Sequence, residues 1–381
     1  MDNGLAGIDG RLAGPDDPRA IANLYLGSQS DRLTYKITVS TEQDQTVVTS
    51  GRLVKQWQEG ARNYFTYQSE RPGLYNFYIA SARYELKKIQ WSDPASGKPV
   101  GIEVYYHPAH NRNIDFFLKS ARDILAYGSQ TFGEYPYSVL RIVEKPLYDP
   151  EPHTFDNVIA IAENHGWAAD SRRSKDIDYV QFLASRLVSQ QWFMQSGVRE
   201  ARGFPVVTQA LSAYVALAMF EDQYGPELTK GHLKKRIENY IKGRGKEANI
   251  EPVLLQTDES AYVAEDKGGM ALFALSRYMG KQRLNAVVRS YLDSAAQVSQ
   301  APFLKPDVFY TMLKEAAPDS LHGFLSDLFE HRVLYDNAVI SASTAPAAGG
   351  YATRLTISCR KEYDLKGDGN VVEAIALNEL L

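Results

Sequence analysis

Apolar and polar positions alternate along Leu33–Ser40, the period of a strand with one buried face. The pattern returns at Thr46–Thr49, Tyr64–Gln68 and Tyr84–Lys88. Gly51, Gly60 and Pro72-Gly73 punctuate these runs, so an antiparallel sheet or sandwich is predicted. Gly101–His107 reads as one more strand, leading into a new domain. There the period changes. Ile114, Phe117, Leu118, Ala121, Leu125 and Gly128 share one face of a helix predicted over Asn111–Phe132, with Asn111 or Asn113 as its cap. Val139–Val143 and Asn157–Ala162 are short apolar runs of the kind a buried strand shows. After Asp170 helical spacing dominates, with helices predicted at 176–195, 206–223, 227–243, 267–279, 282–297, 306–316 and 319–331. Gly225-Pro226, Gly280 and Pro318 break them.

Strand character resumes from Asp336, with Tyr351–Cys359 and Val371–Leu377 alternating around a turn at 364–370. The turn lacks the twelve-residue ligand spacing and flanking helices of a calcium loop and is expected to be a plain hairpin turn. Gly4, Gly7, Gly10, Gly14 and Pro15 make residues 1–32 an irregular arm. The expected fold class is α+β and multidomain. The arm precedes a β domain at 33–105, a mixed and then helical domain at 106–335, and a β tail at 336–381.

Composition narrows the function classes. At 381 residues, with 44% hydrophobic and 23% charged, the chain can bury sizeable cores. A net charge of -4 gives no electrostatic case for nucleic acid or an anionic membrane. No apolar run approaches the ~18 residues of a membrane span, and Met1–Asp17 has no basic-then-apolar order of a signal peptide. The single cysteine, Cys359, forms no internal disulfide. There is no G-x-S-x-G elbow and no phosphate-binding glycine loop.

The stretch richest in implied chemistry is Asp176–Tyr214, two helical patterns flanking a Gly/Pro-bearing loop. Zinc peptidases that hold metal between two helices carry H-E-x-x-H on the first, because residues four apart share a face. Here Arg186-Leu187-Val188-Ser189-Gln190-Gln191-Trp192 occupies that frame. Together with Ala160-Ile161-Ala162-Glu163-Asn164, Val207–Tyr214 and Glu265-Asp266-Lys267-Gly268, it resembles the membrane alanyl aminopeptidase family of zinc peptidases. In that family these segments correspond to the G-A-M-E-N edge strand, the zinc helix H-E-x-x-H-Q-W, the helix of the third ligand and Y-x-K-G. Tyr105–His110, Tyr240–Gly245, Lys267–Gly280 and Leu334–Asn337 resemble, more specifically, the peptidase-like module fused to bacterial ABC-transporter permeases.

The resemblance implies a thermolysin-like central domain. Arg186 and Gln190 stand at two zinc-ligand positions, Leu187 at the general base, Gln209 at the third ligand and Glu265 at the tyrosine that stabilises the tetrahedral intermediate. Guanidinium has no lone pair to offer and amide oxygens are weak zinc donors. The chain is therefore expected to lack zinc and catalysis. Arg186 is expected to replace the metal's charge and to pair with Glu265 or Glu163. Glu163, Asn164 and Ala162, on an edge strand Asn157–Asn164, are the expected contacts for a peptide or a protein N-terminus. The implied partners are an ABC-type permease and its ATPase, with this chain an extracytoplasmic soluble module cut from a longer polypeptide. The rival expectation is an active metallo-aminopeptidase with atypical ligands. His107 and His110, an H-x-x-H with no acidic partner in pattern, are read as a satisfied turn. His153 and His165 are expected to flank the cleft, and Ser171–Asp176 is read as a solvated loop.

Overall fold

A computed structural model describes residues 32–74, 77–167, 174–194, 196, 201–246, 251–258, 260–299, 303–364 and 373–376. The arm at 1–31, the turn residues 365–370 and the ends of the predicted strand Val371–Leu377 lie outside them, as does the first half of the loop expected at Ser171–Asp176. Ser174–Asp176 already belongs to a helix.

Two small antiparallel sheets open the chain. The strands β1 (Lys36–Glu42), β3 (Arg52–Glu59) and β4 (Arg62–Gln68) pair in the order β1-β4-β3, while β2 (Thr46–Thr49) pairs with β5 (Ile79–Ala82). Val47, Phe65 and Tyr67 form a core between them.

The next sheet has five strands in the order β6-β7-β8-β10-β9. These are β6 (Glu85–Ser92), β7 (Pro99–Tyr106), β8 (Val139–Lys145), β9 (His153–Phe155) and β10 (Val158–Ala162). The sheet crosses the domain border expected at residue 105, because β6 and β7 belong to it. β7, β8 and β10 run parallel, and the helix α1 (Ile114–Phe132) makes the crossover from β7 to β8 that a parallel pair requires. Every residue of β8 and of β10 is buried, as expected for parallel strands covered on both faces.

β10 is not an edge strand. It bonds β8 on one side, and its Val158–Ala160 segment bonds β9 on the other, which uses the main-chain groups an incoming peptide would need. The edge expected at Asn157–Asn164 is supplied by His153–Phe155.

The helical half follows: α2 (Ser174–Phe193), α3 (Leu211–Tyr224), α4 (Pro226–Arg244), α5 (Gly268–Met279), α6 (Lys281–Ala296), α7 (Pro306–Ala316) and α8 (His322–Phe329). α2, α3 and α5 line a continuous core with α1 through Leu183, Leu187, Tyr214, Leu217 and Leu272. A Cβ added at Gly268 or Gly269 would lie 2.6 Å from the Cβ of Ala210 or of Ala213, so the approach of α5 to α3 depends on small residues. Gly269→Ala is expected to cost about 1–3 kcal/mol, overpacking outweighing the helix propensity gained. Urea unfolding checks this, and a stability equal to or above wild type would contradict it.

The chain closes in a long hairpin, β11 (Val333–Ala347) and β12 (Gly350–Tyr363), with β13 (Glu373–Ala376) beside β12. No helix among the described residues is long and apolar enough to cross a membrane.

Candidate functional site

Arg186 and Gln190 sit one turn apart on α2 and line a cavity of about 480 Å³. Leu187 is buried in the hydrophobic core and does not line the cavity. The cavity's other walls carry Gln209, Glu265, Glu151 and His153. Gln209 and Glu265 both lie in π-helical turns, Val206–Ala210 and Tyr262–Lys267. Such turns bulge one residue out of register and are common where a helix is shaped for a site.

Arg186 meets Glu265 as expected, Nη1 to Oε2 at 2.8 Å, with both side chains largely shielded from solvent. The sequence did not point to the rest of the network. Arg236, from α4, donates to the second oxygen of Glu265 and, at 2.8 Å, to Asp266. Its guanidinium lies 4.9 Å from the ring centroid of Phe182, and Asn239 donates to Asp266 at 3.4 Å. Burial pushes the Glu265 carboxyl up, but Arg186 and Arg236 outweigh it and hold the group below the usual carboxylate range. Asp266 goes the other way: burial raises it, Arg236 opposes, and the Glu265 charge adds to the rise. Nearby, burial and then Arg236 push His232 down to about 4, so its ring is neutral where it stacks on Phe182.

Gln190 donates to Ser212 Oγ at 3.4 Å, and Ser212 in turn donates to the Gln209 carbonyl at 2.9 Å. Gln191 and Trp192 hold the frame. Gln191 donates to the Phe155 carbonyl at 3.1 Å and accepts from the Tyr135 hydroxyl, and Trp192 donates to the Gly133 carbonyl at 2.9 Å. Thr154 donates to the Leu187 carbonyl at 3.3 Å, so β9 is the strand laid against α2.

Glu163 is not brought to Arg186. It follows β10, is exposed, and accepts from the Leu147 N–H at 3.1 Å in a separate small pocket with His107 and Glu144. Ala162 is fully buried, and Asn164 is exposed beside Glu163. Of the two histidines expected at the cleft, His153 lines it and bonds Asp149 at 2.9 Å. His165 bonds the Tyr179 hydroxyl at 2.7 Å instead.

No protein-family model and no curated protein matches the chain. Solved structures do. The M1 zinc metallopeptidase of Deinococcus radiodurans superposes with a TM-score of 0.59 at 14% identity, over 79% of this chain and 64% of that one. The fold is that of an M1 zinc metallopeptidase. A mutant of the same peptidase bound to a Tyr-Ser-Ala substrate matches at TM-score 0.58 and 14% identity, over 79% and 64% of the two chains. Legionella pneumophila aminopeptidase A in complex with aspartic acid matches at 0.59 and 15% identity, over 85% and 41%. The chain thus spans less than two thirds of these structures' length.

Zinc in an M1 fold needs imidazole or carboxylate donors with an open position for water. The two-helix site of this chain does not fit that need. Arg186 is a cation engaged with Glu265, Leu187 is apolar, and Gln190 turns its amide N–H toward Ser212. Among the described residues, the one group of three or more His, Cys, Asp or Glu placed to hold a metal lies elsewhere, at His110, Glu144 and Glu163.

Proposed function

We propose that this chain is a non-catalytic M1-type domain, a binding or coupling module in which Arg186 stands in for a metal's charge. The Arg186–Glu265 ion pair carries the reading. It puts a paired cation where a metal would sit and leaves the frame's general-base position apolar. Leu187 cannot take a proton from water, a service worth about 10²–10⁴-fold, and Glu265 offers no hydroxyl to a tetrahedral oxyanion.

The cavity is the binding surface of this reading. Its rim includes β9, the last strand of its sheet, whose outer main chain can take an extended peptide by strand addition. That seat replaces the one expected at Ala162, Glu163 and Asn164. The association with an ABC-type permease and ATPase, and an extracytoplasmic location, rest on the sequence resemblance to permease-fused modules.

Hydrolysis of aminoacyl-fluorophores is expected at the buffer rate, with or without added Zn²⁺. Turnover that a chelator abolishes and that falls with Gln190→Ala would establish instead an active metallo-aminopeptidase with atypical ligands.

A further inference from the structure

The carboxyl ends of three adjacent parallel strands converge on one small polar cluster. β7 ends at Tyr106, and the 3₁₀ turn Pro108–His110 follows it. Glu144 sits near the end of β8, and Glu163 directly follows β10. One donor atom each from His110, Glu144 and Glu163 lies within 4.8 Å of the others. Carboxyl ends of parallel strands are where α/β sheets commonly place ligands.

We propose that His110, Glu144 and Glu163 form a binding site for one divalent transition-metal ion, separate from the Arg186 cavity. Each carboxylate is held through one oxygen by a main-chain donor. The His107 N–H bonds Glu144 Oε2 at 2.7 Å, and the Leu147 N–H bonds Glu163 Oε1 at 3.1 Å. The other oxygen of Glu144 meets His110 Nδ1, and the other oxygen of Glu163 carries no such anchor. This is the outer-shell support that orients metal ligands. Glu144 is nearly inaccessible to solvent, whereas Glu163 is exposed. The buried carboxylate is therefore fixed, and the exposed one is free to shift and close the site.

Two carboxylates this near each other repel, and a cation bound by both relieves the repulsion. A metal would sit between His110 Nδ1 and Glu144 Oε1, in place of the hydrogen bond that joins them. Ligand bonds of about 2.0–2.2 Å would set the two donors roughly 3 Å apart. One imidazole and two carboxylates suit Zn²⁺ or Mn²⁺, and three protein donors leave room for water. The His107 ring, with its centroid 5.2 Å from that of His110, walls the site, and its Nδ1 accepts from the Ala109 N–H.

The test is equilibrium dialysis of untagged, chelator-stripped protein against Zn²⁺ and, separately, Mn²⁺ at pH 7.5, with wild type, His110→Ala, Glu163→Gln and Gln190→Ala. About one ion per wild-type chain is expected for at least one metal. Affinity should fall at least ~10-fold in both His110→Ala and Glu163→Gln and should not change in Gln190→Ala. Glu163→Gln carries most weight, because an exposed isosteric change leaves the fold intact. Absence of binding to wild type, or binding that both site variants retain, overturns the proposal and leaves His110–Glu144 as a plain hydrogen-bonded pair. Loss confined to Gln190→Ala would instead place the metal between the helices and overturn the non-catalytic reading as well.

Discussion

Glu265→Gln is expected to destabilise the fold by about 3–5 kcal/mol, the cost of removing one partner from a buried ionic network. The carboxylate serves two guanidinium groups, Arg186 and Arg236, and all three side chains are largely shielded from water. The amide would take from Arg186 the carboxylate it meets and leave Arg236 with Asp266. Arg186→Met combined with Glu265→Leu should behave differently. It removes one charge of each sign and keeps the Arg236–Asp266 contact at 2.8 Å. Replacing a buried pair by apolar groups of similar size is often neutral, so the double variant should be more stable than the single one. Urea unfolding of both decides the matter. A single variant within ~0.5 kcal/mol of wild type, the usual range of surface changes, would mean that Glu265 is effectively solvated.

The pH dependence follows from the same geometry. The folded state holds Glu265 below its ordinary carboxylate range, so its contribution is complete above that range and lost as acid protonates it. Asp266 is raised in the folded state and has the opposite sign, gaining relative stability as pH falls through its raised value. In Glu265→Gln the acid-side loss of stability should therefore be shallower than in wild type.

The Arg186–Glu265 pair was legible because a buried cation requires a carboxylate, and the family resemblance brought Glu265 and Glu163 near it, of which only Glu265 arrives. The remainder of that network was hidden. Arg236 lies on α4, a helix so rich in charge that nothing marks one arginine as buried. The helices from Leu211 to Ala316 matched their predicted spans closely, since period and glycine or proline stops agree there. β9 escaped because three residues give no period, and its absence made β10 look like an edge. β3 escaped because its RLVKQWQE run is polar and exposed along most of its length, and the neighbouring strand holds it by main-chain pairing. His110, Glu144 and Glu163 are brought together by strand order alone, and no local spacing announces that.

Arg141→Leu should be comparably damaging, at about 3–5 kcal/mol, and should loosen the first sheets from the rest. Arg141 lies in β8, as the polar residue of the otherwise apolar run Val139–Val143, and it is 3% exposed. Its Nε donates to Glu103 at 2.8 Å, and its Nη1 reaches the carbonyls of Thr49 at 3.2 Å and Gly51 at 2.6 Å, about ninety residues earlier. Tyr67 covers the guanidinium at 5.2 Å. Asn157 completes the clamp, accepting from the Gly51 N–H at 2.8 Å and donating to its carbonyl at 3.2 Å. Gly51 has φ +89°, and a Cβ there would meet the Gln68 carbonyl oxygen at 2.6 Å, so the turn that presents these groups admits only glycine without strain. Leucine at 141 takes the cation from Glu103, which keeps the Tyr105 hydroxyl, and one donor each from the Thr49 and Gly51 carbonyls. Arg141→Leu with Glu103→Gln should recover part of the loss by removing the orphaned charge, and would not restore the contacts to Thr49 and Gly51. Limited proteolysis should then cut the variant first among residues 32–82, whereas equal protection of both halves, with stability within ~1 kcal/mol of wild type, would show that the apolar contacts alone join them.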